Sequence, residues 1–95
     1  MDTRYFINSD KCFYDINSCI EYAKKVISES KNKNCWLDIN RGTINDRYEI
    51  YYDNKTQKYY FQYYKMEYFD YECHDNYEYE MTDIIYTVDE FLAQI

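Results

Sequence analysis

An α+β domain is expected from this sequence: a mostly antiparallel β-sheet of about four to six strands, one helix near the N-terminus and a short C-terminal helix. Three observations carry that expectation. Apolar residues recur at helical spacing in two places, around Ile20 and around Phe91, each behind a capping box. Between them, from Cys35 to Met81, runs of alternating apolar and polar residues mark strands. Short clusters of Asn, Asp, Lys, Thr and Gly separate those runs and suit tight turns. With 95 residues, no Pro, one Gly and no low-complexity linker, residues 1–95 make a single compact domain.

The first strand runs from Arg4 to Asn8 and ends in the turn-forming Asn8-Ser9-Asp10. A helix follows. Ser18 and Glu21 form its capping box, each side chain bonding the other residue's backbone donor. Ile20, Ala23, Val26 and Ile27 then share one face, with Lys24, Lys25 and Glu29 opposite. The polar stretch Lys31-Asn32-Lys33-Asn34 stops the helix.

Cys35 to Asn40 alternates as a strand, with Cys35, Leu37 and Ile39 on one side and Trp36 and Asp38 on the other. Asn40-Arg41-Gly42-Thr43 is a turn, because Gly42 takes positive φ at little cost. Arg47 to Asp53 and Lys58 to Lys65 follow, joined by Asn54-Lys55-Thr56-Gln57. Pairing Asp53 with Lys58 sets Ile50 opposite Phe61, Tyr48 opposite Tyr63 and Tyr52 opposite Tyr59, a consistent inner face.

For the last hairpin, Phe69, Tyr71 and Cys73 alternate with Asp70 and Glu72, and Tyr77, Tyr79 and Met81 alternate with Glu78 and Glu80. A three-residue loop, His74-Asp75-Asn76, keeps Tyr71 across from Tyr79 and Phe69 across from Met81. A short strand at Ile84 and Ile85 leads to Thr87, whose capping box with Glu90 opens the last helix. Val88, Phe91, Leu92 and Ile95 are placed to dock that helix on the sheet.

Composition limits the core. Fifteen Tyr leave few purely apolar side chains, so Tyr rings must fill the interior, each with a hydroxyl that needs a partner or an exit to water. An A/T-rich coding sequence also yields Tyr, Asn, Lys and Ile, a bland source for that content. Four cysteines, Cys12, Cys19, Cys35 and Cys73, form no CxxC pair. With no signal-peptide pattern at the N-terminus, they read as reduced thiols in a cytoplasmic protein. No apolar run reaches membrane-spanning length. His74, the single His, is an exposed turn residue. No phosphate loop, nucleophile elbow or zinc-protease motif is present, so no catalytic residue, metal ligand or cofactor is assigned.

Charge is the functional signal. The first sixty-five residues hold nine acids and eleven bases; Met66 to Ile95 hold nine acids and no base. The overall charge is −7. Coding bias toward Lys does not produce such a tail. A one-sided negative surface attracts basic proteins and repels nucleic acid and anionic membrane. The expected hairpin register sets Asp70 opposite Glu80 and Glu72 opposite Glu78, a repulsive arrangement costing about 0.2–1 kcal/mol per pair. Alternate residues along a strand stand roughly 6.6–6.8 Å apart, the order of neighbouring phosphates. That face suits the groove of a nucleic-acid-binding protein; the plain reading is a solvated face that blunts a sheet edge. Glu67 and Asp75 flank it. Tyr51, Tyr60, Tyr64 and Tyr68 fall on the outer face, where Tyr serves as a binding anchor and accepts Arg through cation–π contact.

In character the chain resembles the phage-encoded anti-CRISPR inhibitors. The residues that carry the likeness are the acidic face (Asp70, Glu72, Glu78, Glu80) with its flanking acids and Tyr. The resemblance rests on no shared motif and covers no alignable segment. It implies a basic protein partner, a Cas effector or another nuclease, whose guide, target or recognition site is blocked by mimicry or occlusion. Immunity proteins that neutralise nuclease toxins have the same character. A structural phage subunit, using the Tyr strands for edge-to-edge assembly, is a third class.

Overall fold

The chain folds as β1 (Arg4–Ile7), β2 (Lys11–Phe13), α1 (Ile16–Glu29), β3 (Asn34–Arg41), β4 (Ile44–Asp53), β5 (Lys58–Tyr71), β6 (His74–Thr87) and α2 (Val88–Gln94). This computed structural model describes residues 2–42, 44–71 and 74–95, with backbone alone at 44, 67–71 and 74–77. The strands form one sheet in the order β2-β1-β3-β4-β5-β6, every neighbouring pair antiparallel. The fold is α+β, as the sequence predicts.

Alternation decides which face is buried. Tyr5 and Ile7, then Cys35, Leu37 and Ile39, then Tyr48 and Ile50, then Phe61 all point to the inner face. The buried stripe of α1 covers them with Cys19, Ile20, Ala23 and Ile27. On the far side of this core, α2 inserts Phe91, which stacks on Phe61 at 4.1 Å and meets Tyr48 edge-on at 5.0 Å. Val88 and Leu92 are half-buried beside it; Ile95 stays largely exposed and does not dock. Burying rings the size of Phe61 and Phe91 contributes about 1.5–3 kcal/mol each.

The expected β4–β5 register is observed, with Asp53 opposite Lys58, Ile50 opposite Phe61 and Tyr48 opposite Tyr63. The C-terminal capping box is also present. The Glu90 backbone N–H donates to Thr87 Oγ1 at 3.2 Å, and the Thr87 backbone N–H donates to Glu90 Oε1 at 2.9 Å.

Three elements differ from expectation. Asp15, not Ser18, caps α1: the Ser18 backbone N–H and hydroxyl both donate to Asp15 Oδ2, at 3.0 and 2.9 Å. The earlier start buries Cys19 and tucks in Ile16, lengthening the apolar stripe. β2 is a three-residue strand that hairpins onto β1 through Asn8 and Ser9, both at positive φ. Asn8 is held there by mutual bonds with Trp36: its N–H donates to the Trp36 carbonyl, and its Oδ1 accepts from the Trp36 N–H.

The last hairpin is the largest correction. β5 and β6 pair with Tyr71 opposite His74, leaving residues 72 and 73 between them, not residues 74–76. Glu80 therefore faces Lys65, Glu78 faces Glu67, and Asp70 faces Asp75. The expected Asp70–Glu80 facing does not form. Glu72 and Cys73 lie outside the described residues, and so do the side chains of Glu67, Tyr68, Asp70, Tyr71 and Asp75. The short Ile84–Ile85 strand is the continuation of β6 past a bulge. There the ladder jumps from Gln62 opposite Ile85 to Tyr64 opposite Met81. Thr82 fills the gap: its hydroxyl donates to the Tyr63 carbonyl at 2.7 Å, and its carbonyl accepts from Gln62 Nε2 at 3.1 Å. The Ile84 N–H donates to Thr82 Oγ1.

Candidate partner-binding surface

Sheet order turns the charge asymmetry of the sequence into a spatial one. β6 is the terminal strand, and α2 folds back from its end, so the base-free segment forms one border of the molecule. Glu78, Glu80 and Asp83 are exposed on β6; Asp89 and Glu90 are exposed on α2, although the Glu90 carboxylate serves the helix cap. Three of the exposed large apolar side chains also stand on β6: Met81 at 64%, Ile84 at 43% and Ile85 at 46%. Neither Ile belongs to the core, because the bulge turns two consecutive residues outward. Their signal in the sequence is the apolar pair directly after Asp83, a pattern that a short strand explains equally well.

The helix-free face of the sheet carries a second group. Arg47 lies between two rings, 4.6 Å from the Trp36 centroid and 5.0 Å from that of Tyr79. Tyr64 meets Trp36 edge-on at 4.9 Å. Tyr79, set across from Tyr71 in the expected register, instead pairs with Met66, two residues beyond Tyr64, and so stands on the outer face. Asp38 lies 3.6 Å from Arg47 Nε, an ion pair too long for a hydrogen bond, and among the described residues Arg47 Nε meets no hydrogen-bond acceptor. Burial raises the Asp38 carboxyl above its usual value, and Arg47 opposes that rise. Glu49 accepts from the Tyr64 hydroxyl at 3.2 Å and from Asn34 Nδ2 at 2.7 Å. Trp36, Arg47, Tyr64, Glu78 and Tyr79 line a groove of about 520 Å³.

The other outer-face tyrosines are present but engaged. Tyr51 stacks on Tyr60 at 5.7 Å, and the Tyr60 hydroxyl donates to Thr56 Oγ1 at 3.0 Å. Tyr51, Tyr60 and Tyr64 are half-buried, so the face offers ring edges instead of free side chains. Tyr68, Glu67 and Asp75 are candidate contact residues whose side chains lie outside the described set.

The Arg47 box has a measurable consequence. Arg47→Ala removes two cation–π contacts and the cation beside Asp38, and should cost about 1–2 kcal/mol. Trp36 is the single Trp, so its emission should shift to the red in the variant. Arg47→Lys should recover only part of the loss, lacking the planar group that stacks. An unchanged urea midpoint and emission spectrum would show that the box holds nothing.

The buried thiols predict behaviour in alkali. Burial pushes Cys19 and Cys35 up from 9.0 to about 12, with Cys35 and Cys12 adding to the rise at Cys19. Burial, then Asp46, pushes Tyr48 up from 10.0 to about 12. In each case the fold favours the neutral form. That stability is complete below pH 9 and is lost as pH climbs through 9 to 12. The denaturant midpoint should therefore fall steadily above pH 9. In a Cys73→Ser background a thiol reagent at pH 8 should label exposed Cys12 quickly and Cys19 and Cys35 only on unfolding.

Among the described residues, no group of three or more His, Cys, Asp or Glu is placed to hold a metal ion, and no helix is long and apolar enough to cross a membrane. Comparison with protein-family models, with curated proteins and with solved structures finds no match.

Proposed function

We infer that the protein is an inhibitor that binds a basic, nucleic-acid-binding surface of another protein. By its resemblance in character, this is an anti-CRISPR activity exerted on a Cas effector in the cytoplasm of a bacterial host. What supports the reading is the base-free border made by β6 and α2, in which exposed Glu78, Glu80 and Asp83 share a strand with exposed Met81, Ile84 and Ile85. A surface of one sign steers a partner of the opposite sign and sets the on-rate of the encounter. The four-carboxylate square expected of Asp70, Glu72, Glu78 and Glu80 is not part of this reading, because Glu80 pairs with Lys65. Simple phosphate mimicry gives way to occlusion by an edge strand that carries both acidic and apolar side chains.

The test is inhibition in a purified system. Added in excess to an RNA-guided nuclease loaded with guide, the protein should block target binding or cleavage, and more weakly as salt rises. Inhibition of a nuclease toxin instead would assign the chain to the immunity class. Failure against a panel of both kinds, with no retention on a cationic matrix at low salt, would overturn the inhibitor reading. The isolated protein should show no shift of duplex DNA or of RNA at physiological salt, since it lacks the basic stripe that supplies non-specific affinity.

A further inference from the structure

The two edges of the sheet are treated unequally. β2 is three residues long and begins with Lys11, two of the devices that keep an edge from pairing. β6 is fourteen residues long, carries no Pro and no Lys, and is bonded to β5 on one side only. α2 does not guard it, because Phe91 carries that helix onto the inner face against Phe61 and Tyr48. The ladder with β5 is regular up to Tyr64 opposite Met81 and is then broken by the Thr82 bulge, beyond which Ile84 and Ile85 both stand exposed. Glu78 and Glu80 lie on this edge strand with Met81, and Asp83 precedes the Ile pair.

We propose that the outer edge of β6 is a docking site for an extended, basic segment of a partner protein, which adds to the sheet as a seventh strand. The partner's backbone pairs along the regular run ending at Met81. Its Lys and Arg side chains meet Glu78, Glu80 and Asp83, and its apolar residues cover Met81, Ile84 and Ile85. The backbone ladder supplies affinity, and the side chains supply selectivity. Charge decides against the obvious rival, a second copy of this chain. Pairing two β6 edges joins two base-free segments of nine acids each. Pairing β6 with β2 of another copy offers only three residues of ladder. The occupant is therefore a basic strand from a different protein. This proposal rests on the acidic-border reading above and adds the manner of binding.

The experiment uses the full chain and two synthetic peptides. One is an eight-residue peptide of alternating valine and lysine; the other is the same peptide methylated at alternate backbone nitrogens, with equal charge and side chains but a broken ladder. Backbone amide shifts and hydrogen exchange should report saturable binding of the first peptide confined to β6, with new protection in the regular run that ends at Met81. Methylation should weaken binding by about tenfold or more. Ile84→Lys with Ile85→Lys should weaken it to a similar degree, and Ile85→Thr, which keeps a β-branched residue, serves if that pair does not fold. Equal binding of both peptides overturns the added strand while leaving the acidic-border reading intact. Binding of neither at low salt overturns both. A dimer by light scattering whose β6 amides are already protected without peptide gives the edge to a second copy and overturns the basic occupant.

Discussion

Phe91→Ala should destabilise the protein by about 3–5 kcal/mol, the largest single-residue effect expected of this fold. Phe91 is fully buried, lies flat on Phe61 at an interplanar angle of 9°, and also meets Tyr48. No other side chain of α2 is fully buried, and the helix has only seven residues. An isolated helix of that length does not hold in water, so it exists through this ring and its cap. Removing the ring opens a cavity over Phe61 and releases the helix. The melting temperature should fall by about 4–8 °C for each kcal/mol lost, readable by circular dichroism. Leu92→Ala, at a half-buried neighbour, should cost clearly less. A loss below about 1 kcal/mol for Phe91→Ala would mean that α2 is not part of the cooperative core.

Where local pattern and tertiary register coincide, the sequence was sufficient. The β4–β5 hairpin was legible because Tyr48, Ile50 and Tyr52 alternate cleanly, and because Asp53 to Lys58 leaves one turn length that keeps the faces in phase. Thr87 and Glu90 were legible because a capping box is wholly local. The α1 start was missed because Asp15 and Ser18 are both good caps. Burial of Cys19 and partial burial of Ile16 favour the longer helix, and burial is a tertiary fact. The β5–β6 register was missed for a similar reason. Matching aromatic to aromatic within 67–81 describes a free-standing hairpin, which this one is not. Its register is set from the other end, by Phe61 opposite Tyr86 and by the Thr82 bulge, which no alternation pattern announces. That bulge also hid the apolar half of the candidate site, while the acidic half could be counted directly from the sequence. The Arg47 box is not legible in the sequence because it joins β3, β4 and β6, whose neighbours on that face follow from strand order alone.

Reversing Glu78, Glu80 and Asp83 together to Lys should abolish inhibition while leaving the fold intact. All three are exposed, so none is needed for the core. Their effect on stability should be small and of mixed sign. Glu78 faces Glu67, and neutralising it to Gln should stabilise by about 0.2–1 kcal/mol; Glu80 faces Lys65, and the same change there should cost a similar amount. Near-cancellation in the triple variant separates binding from folding, which a mutation in the core does not do. For a partner with a basic surface, the on-rate should fall by about 10- to 1000-fold at low salt, because steering by this border is lost and turned into repulsion. The difference between wild type and variant should shrink as ionic strength rises and the Debye length contracts to about 8 Å near 0.15 M. If the border is only a solvated face, the triple variant retains full activity and the contact moves to the Tyr51, Tyr60 and Tyr64 side of the sheet. The two outcomes differ most at low salt, where an attractive border has its longest reach and a merely solubilising one has no partner to act on.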